Sequence, residues 1–191
     1  MTLALCLHNA FCYYALYGLV SFLVMRFASL QNRKKVLTYA SPGSARDRVF
    51  LGLSRLFRIL SFIIAFFTPI NPLSWNFSAG LLIYFTGLAL GAAALWQFSH
   101  ADGSRPVTEG LYRFSRHPMQ VSFYVLCTGI LFVSANLYLS LSVVCYMAAS
   151  YPSLQLQETY CLAKYGSAYQ TYLNRTPRIF LFHLNSRFRD S

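Results

Sequence analysis

"GLYRFSRHPMQVSFYVLCTGILFV" (Gly110–Val133) joins the densest polar cluster of the chain to an unbroken apolar run. Arg113, Arg116 and His117 fall within five positions, Pro118 follows, and no charge appears from Met119 to Val133. Proline suits the first turn of a helix, where its missing N–H costs nothing. The residue before a proline avoids the α region. His117 is therefore predicted at a helix mouth. The N–H groups of Met119, Gln120 and Val121 would lack intrahelical partners there, and the helix dipole is positive. A carboxylate or phosphate of a ligand is stabilised at such a place. The alternative is that Arg113 and Arg116 only anchor lipid headgroups.

The rest of the chain is equally apolar. Of 191 residues, 56% are hydrophobic and 11% charged, whereas a soluble domain carries about 25% charged residues. The composition indicates an integral membrane protein. Sixteen Lys and Arg face five acids, a surplus of +11. In a membrane chain that surplus points to basic cytoplasmic loops near anionic lipid, not to nucleic acid. Cys6, Cys12, Cys127, Cys145 and Cys161 form no CxxC pair. They are expected as small buried hydrophobes, with no disulfide framework and no metal site.

A bilayer core needs roughly 20 apolar helical residues. Leu3 to Met25 is the first candidate span. It has no basic n-region before it and is too long for a signal-peptide core, so it is expected to be retained. A basic loop follows. The second span covers about Val49 to Pro69 and contains Arg55 and Arg58. These either snorkel toward the near interface, which is the expectation, or face a polar cavity. The third span covers about Gly80 to Phe98, with Gly87 and Gly91 spaced for close helix packing. Met119–Val133 and Leu137–Tyr151 form a short apolar hairpin around the turn Ser134–Asn136. Pro152 is expected to interrupt it, and a mixed helix then runs to a C-cap at Gly166. The tail is basic and aromatic and is expected on the membrane surface.

The fold class is thus all-α: a polytopic membrane bundle of about five transmembrane helices. Residues 1–78 form a two-span region with a basic loop, and residues 79–191 a second region with a C-terminal cytoplasmic helix and tail. All Lys and Arg outside the second span lie on one side of this topology. The positive-inside rule then places the N-terminus out and the C-terminus in the cytoplasm.

A second polar feature is Glu158, on the same side as His117. It either neutralises an arginine or faces a bound cation. Tyr165, Tyr169 and Tyr172 recur at helical spacing after it.

Together these stretches carry a resemblance. Gly110-Leu-Tyr112-Arg113-Phe-Ser-Arg116-His117-Pro118-Met119 is similar to the G-x-Y-x-x-x-R-H-P motif of the integral membrane methyltransferases that include isoprenylcysteine carboxyl methyltransferase and phosphatidylethanolamine N-methyltransferase. Gln157-Glu158, Tyr165-Gly166, Tyr169, Tyr172 and Pro177-Arg178 look like their second motif. The likeness covers about Val107 to Phe180. It implies S-adenosylmethionine as the cofactor, bound by His117, Pro118, Met119, Tyr112, Arg113, Arg116, His100, Val107, Gly110 and Glu158. It also implies Glu158 as the catalytic residue, able to act as general base for an ammonium acceptor.

The implied activity is methyl transfer to a lipophilic acceptor such as a prenylcysteine carboxylate or a phospholipid amine. The site would face the cytosol from a bacterial inner membrane or the endoplasmic reticulum. No nucleic acid and no obligate protein partner are expected. The chain departs from the pattern at Gln157, which replaces a glutamate, at Ser153, where the carboxyl methyltransferases tend to carry arginine, and at Gln120, which replaces a tyrosine. These departures lean toward an amine, a thiol or a neutral lipid as acceptor. Two alternatives stand beside this activity: a non-catalytic membrane protein of the same fold that binds lipid or a partner, and a sterol-reductase-like enzyme.

Overall fold

A computed structural model describes residues 9–28 and 44–179. The first residues of the Leu3–Met25 span, including Cys6, lie outside them. So do residues 29–43 of the basic loop and residues 180–191 of the tail expected on the membrane surface.

Six α-helices form. They are α1 (Ala10–Phe27), α2 (Ala45–Phe66), α3 (Trp75–His100), α4 (Pro118–Ser134), α5 (Leu137–Tyr165) and α6 (Ser167–Arg175), with a 3₁₀ turn at Gly110–Arg113. Helices are forced by the medium. Lipid offers no hydrogen bonds, so each span must satisfy its own backbone. α1, α2, α3 and α5 are each long and apolar enough to cross a membrane. α4, with 17 residues, reaches only about 25 Å at 1.5 Å per residue. The chain is a polytopic helical membrane bundle.

Several boundaries differ from the sequence expectation, each for a local reason. α2 starts at Ala45 and not at Val49, because Ser44 and Asp47 form a reciprocal capping box that satisfies free N–H groups at the helix start. α3 begins at Trp75, ahead of the expected Gly80, and carries His100 in its last turn. Pro152 does not interrupt α5, which runs unbroken for 29 residues. Hydroxyls hold the turn before it: the Met147 carbonyl accepts from Ser150 Oγ at 3.0 Å and from the Tyr124 hydroxyl at 3.4 Å.

The helical hairpin is also looser than expected. α4 lies against α3, and α5 lies against α2, so the consecutive helices α4 and α5 diverge. The α3–α4 contact is set by glycines. A Cβ at Gly87 would run into the Leu126 backbone, and one at Gly129 into the backbone of Tyr84. Gly80 stands against Val133 in the same seam, where a Cβ would lie 2.7 Å from its amide nitrogen. Close backbone approach of this kind replaces the hydrophobic drive that lipid removes. Between α4 and α5, long polar side chains fill the space instead. Gln120 Nε2 donates to the Tyr146 hydroxyl at 3.0 Å, and the Tyr124 hydroxyl meets Ser150 Oγ at 2.7 Å.

One end of the bundle is tied by asparagines. Asn9 Nδ2 donates to the Phe66 carbonyl at 2.6 Å, Asn76 Nδ2 to that of Phe132 at 2.6 Å, and Asn136 Nδ2 to Thr68 Oγ1 at 3.3 Å. The first two amides serve carbonyls that a helix C-terminus leaves unpaired. The bonds join alternate helix ends, so α1 to α5 run up and down in turn. Among the described residues, every charged side chain except Arg55 and Arg58 belongs to the opposite end or its loops.

The glycine seam gives a test by thermal unfolding in detergent. Gly129→Ala is expected to lose about 1–3 kcal/mol through overpacking. Gly52→Ala, whose Cβ would meet nothing within 4 Å, is expected to be neutral or to gain about 0.5–1 kcal/mol. Equal effects at the two positions would contradict the seam.

Candidate functional site

The two sequence clusters meet at the charged end. Pro118 opens α4 at its first turn with His117 as N-cap (φ −128°, ψ 57°), as the proline rule predicts. The expectation of three unpaired N–H groups at this mouth is corrected for two of them. The His117 carbonyl already takes the N–H groups of Gln120 and Val121, both at 3.0 Å. The positive field at the site comes from side chains instead.

Glu158 is their focus. It projects from the last third of α5, beyond the roughly 20 residues that a span starting at Leu137 requires. Arg116 Nη1 donates to its Oε1 at 2.8 Å, His117 Nε2 lies 3.2 Å from the same oxygen, and Arg178 approaches with Nε at 3.0 Å. Arg178 Nη2 donates to Oε2 at 2.6 Å. His117 and Glu158 are 9% and 7% exposed, so these are buried, charge-assisted bonds of the stronger kind. His117 and Glu158 stand 41 positions apart in the chain.

Backbone contacts place Arg178. The Arg116 N–H donates to the Pro177 carbonyl at 3.0 Å, and Ser115 Oγ donates to the Arg178 carbonyl at 2.9 Å. Ser115 Oγ in turn accepts the His117 N–H at 3.2 Å. α6 is fastened to the 3₁₀ turn by the Tyr172 hydroxyl, which donates to the Tyr112 carbonyl at 2.6 Å. The guanidinium of Arg178 also lies over the Tyr151 ring, 5.5 Å from its centre.

The protonation states follow. Burial alone would raise the Glu158 pKa, but hydrogen bonds from His117 and Arg178 and the charge of Arg116 outweigh it and hold the carboxylate at about 2. Arg178 is raised, chiefly by its bonds to Glu158. His117 is lowered, because burial opposes its charged form more than Glu158 favours it. A neutral His117 beside an ionised carboxylate must donate through Nε2–H. Nδ1 then keeps the free lone pair. Glu158 is thus an ion-pair acceptor in this geometry, and a weak proton acceptor.

Not every residue implied by the resemblance joins this cluster. Tyr112 is buried beside it, with its hydroxyl 3.5 Å from the Ala94 carbonyl. Met119 follows Pro118 in the first turn of α4 and is half-buried. Arg113 is exposed, and Val107 is half-buried in the loop. His100 stacks on Trp96 at 4.0 Å, and its Nδ1 lies 3.0 Å from the Trp96 carbonyl. Gly110 has φ +61°, and a Cβ there would strike the Gln97 side chain. Gln97 Oε1 accepts the Leu111 N–H at 3.0 Å, so Gly110 shapes the turn that carries Tyr112 and Arg116.

Two residues carry more than the sequence suggested. Arg178 appeared only as the end of a motif, yet it makes two bonds to Glu158. Ser115 had no signal beyond lying beside Arg116. Two buried polar atoms lack a hydrogen-bond partner among the described residues: Arg116 Nε and Ser153 Oγ. No group of three or more metal-ligating side chains forms among the described residues.

No protein-family model matches the chain, and no curated protein matches it. The fold and the site define its class by themselves: a polytopic helical membrane bundle with a buried carboxylate held by two arginines and a histidine at its charged end.

Two measurements test this cluster. Glu158→Gln strips a buried carboxylate from its arginines and is expected to cost about 3 kcal/mol in unfolding free energy. A loss below that of an exposed ion pair, about 0.5 kcal/mol, would contradict the geometry. The second measurement is pH dependence. The unfolded chain protonates His117 near pH 6.5, while the folded pKa lies lower. Below pH 6.5 the unfolded state binds more protons and stability falls. The melting temperature should therefore drop from pH 7.5 to pH 5.5, and His117→Asn should flatten that slope.

Proposed function

We propose that the chain is an integral membrane methyltransferase that uses S-adenosylmethionine and acts on a lipophilic acceptor. One observation carries the proposal. The two halves of the resembling motif, separated by an apolar hairpin, converge so that Glu158 bonds Arg116, His117 and Arg178 at once.

The residues present fit the donor. Its amino-acid end is a zwitterion and needs a cation and an anion side by side. Arg116 and Glu158 supply that pair, and the unpartnered Nε of Arg116 offers a buried donor for a carboxylate. When bound, S-adenosylmethionine supplies an electrophilic methyl group on a sulfonium.

The chain's own work is alignment and exclusion of water, which suits an in-line displacement. Arg116 and Glu158 hold the charged end. Ser115 and the Pro177–Arg178 backbone fix Arg116 and His117 in place. Glu158, held at about 2, serves as an anchor in this proposal and not as the base. Where the acceptor must lose a proton, the Nδ1 lone pair of His117 is the available site. The segregation of charge to one bundle end supports an N-terminus out and a site facing the cytosol, in a bacterial inner membrane or the endoplasmic reticulum.

One feature favours a second reading. Both oxygens of Glu158 are already taken by the chain's own arginines, as a purely structural clasp would have them. A non-catalytic membrane protein of this fold is the result.

Calorimetric titration of S-adenosylmethionine into the detergent-purified chain separates the two. Binding is expected, with His117→Ala and Glu158→Ala each weakening it more than tenfold. No binding to the unmodified protein would favour the clasp. Labelled donor incubated with a membrane lipid extract then identifies the acceptor class.

A further inference from the structure

Glu158 is saturated by the chain itself. Its Oε1 takes Arg116 Nη1 at 2.8 Å, His117 Nε2 at 3.2 Å and Arg178 Nε at 3.0 Å. Those are three donors on one oxygen, where a carboxylate offers about two lone-pair sites per oxygen. Oε2 takes Arg178 Nη2 at 2.6 Å. A ligand cation that reaches this buried carboxylate must therefore replace a donor already there.

The three donors are not equally fixed. Arg116 and His117 are neighbours at the mouth of α4, and their side chains are 14% and 8% exposed. Arg178 is the most exposed of the three, at 22%, and comes from the segment after α6. The backbone of that segment is held without the Arg178 side chain. The Pro177 carbonyl accepts the Arg116 N–H, and the Arg178 carbonyl accepts from Ser115 Oγ. The guanidinium can turn while the segment stays in place.

A second place for the guanidinium already exists. Arg178 Nη1 donates to the Tyr151 hydroxyl at 3.3 Å, and the guanidinium carbon lies 5.5 Å from the centre of the Tyr151 ring. A guanidinium is attracted to an aromatic face, and Tyr151 is itself exposed.

We propose that Arg178 is an internal latch: its guanidinium occupies the place that the ammonium group of a zwitterionic ligand takes on Glu158, and it turns onto Tyr151 when that ligand binds. The exchange is one cation for another. Glu158 keeps Arg116 and His117 throughout, so the buried carboxylate is answered both when the site is empty and when it is filled. A ligand without an ammonium group cannot make the exchange and leaves the latch shut. The inference rests on the methyltransferase reading, because it takes Glu158 as the anchor for the amino-acid end of S-adenosylmethionine. It also accounts for the occupied Glu158 oxygens that favour the non-catalytic clasp.

The sign of one change separates latch from clasp. An internal competitor lowers apparent affinity, because only the open fraction binds. Its removal tightens binding. A purely structural Arg178 props the site, and its removal loosens binding.

The test is calorimetric titration of the detergent-purified full chain with S-adenosylmethionine and with 5′-methylthioadenosine, which lacks the amino-acid end. Arg178→Gln is expected to bind S-adenosylmethionine at least threefold more tightly than the unmodified chain. Its affinity for methylthioadenosine should stay within twofold. Arg178→Lys keeps a cation but loses the two-bond fork, and its affinity for S-adenosylmethionine should fall between the two. Arg178→Gln loses the clasp bonds, so its melting temperature without ligand should drop; if it does not fold, Arg178→Lys decides by the same sign. The latch is overturned if the variants bind S-adenosylmethionine no more tightly than the unmodified chain, or if methylthioadenosine gains as much. Absence of S-adenosylmethionine binding to all three chains overturns the methyltransferase reading and the latch with it, so the two failures are distinct.

Discussion

A single carboxylate organises the charged end of this bundle. Glu158 takes bonds from Arg116, His117 and Arg178, and each of these side chains is then held by something else. Arg116 and Ser115 pair with the Pro177–Arg178 backbone, and His117 caps α4. A buried carboxylate is tolerable only when its charge is answered and its lone pairs are filled. That requirement ties α4, α5 and the segment after α6 to one another at this end. The same requirement sets the protonation pattern, with Glu158 ionised and His117 neutral.

The opposite constraint governs the middle of the bundle. Packing there follows from the absence of side chains. Gly87 and Gly129 let α3 and α4 approach until a methyl group would collide with backbone. Because α4 is committed to α3, and α5 to α2, the hairpin between them opens. Tyr124, Tyr146 and Gln120 fill the gap with hydroxyl and amide groups.

Much of this was legible in the chain. Continuous apolar runs gave the spans, because length and hydropathy alone decide what a bilayer accepts. Pro118 gave the start of α4, and Gly166 the end of α5. A shared site for His117 and Glu158 was implied by the resemblance, while the residues alone placed them only on the same side of the bundle. Other features were not legible. Ser44 and Asp47 lengthen α2 by a capping box that an apolar count ignores. Pro152 was read as a break, but α5 runs through it unbroken. His100 and Arg113 shared a loop with the cluster, yet loop proximity does not fix where a side chain goes.

The sequence by itself determined that the chain is helical, that it spans a membrane, and that its charges collect at one end. Those are one-dimensional properties: they follow from the solvent each segment can enter. The tertiary structure decided which cations share Glu158 and that Arg178 is among them. Those depend on helix rotation and on which helix packs against which. In a membrane, that choice is made by close contact at glycines and by hydrogen bonds, and neither leaves a periodic trace in the sequence.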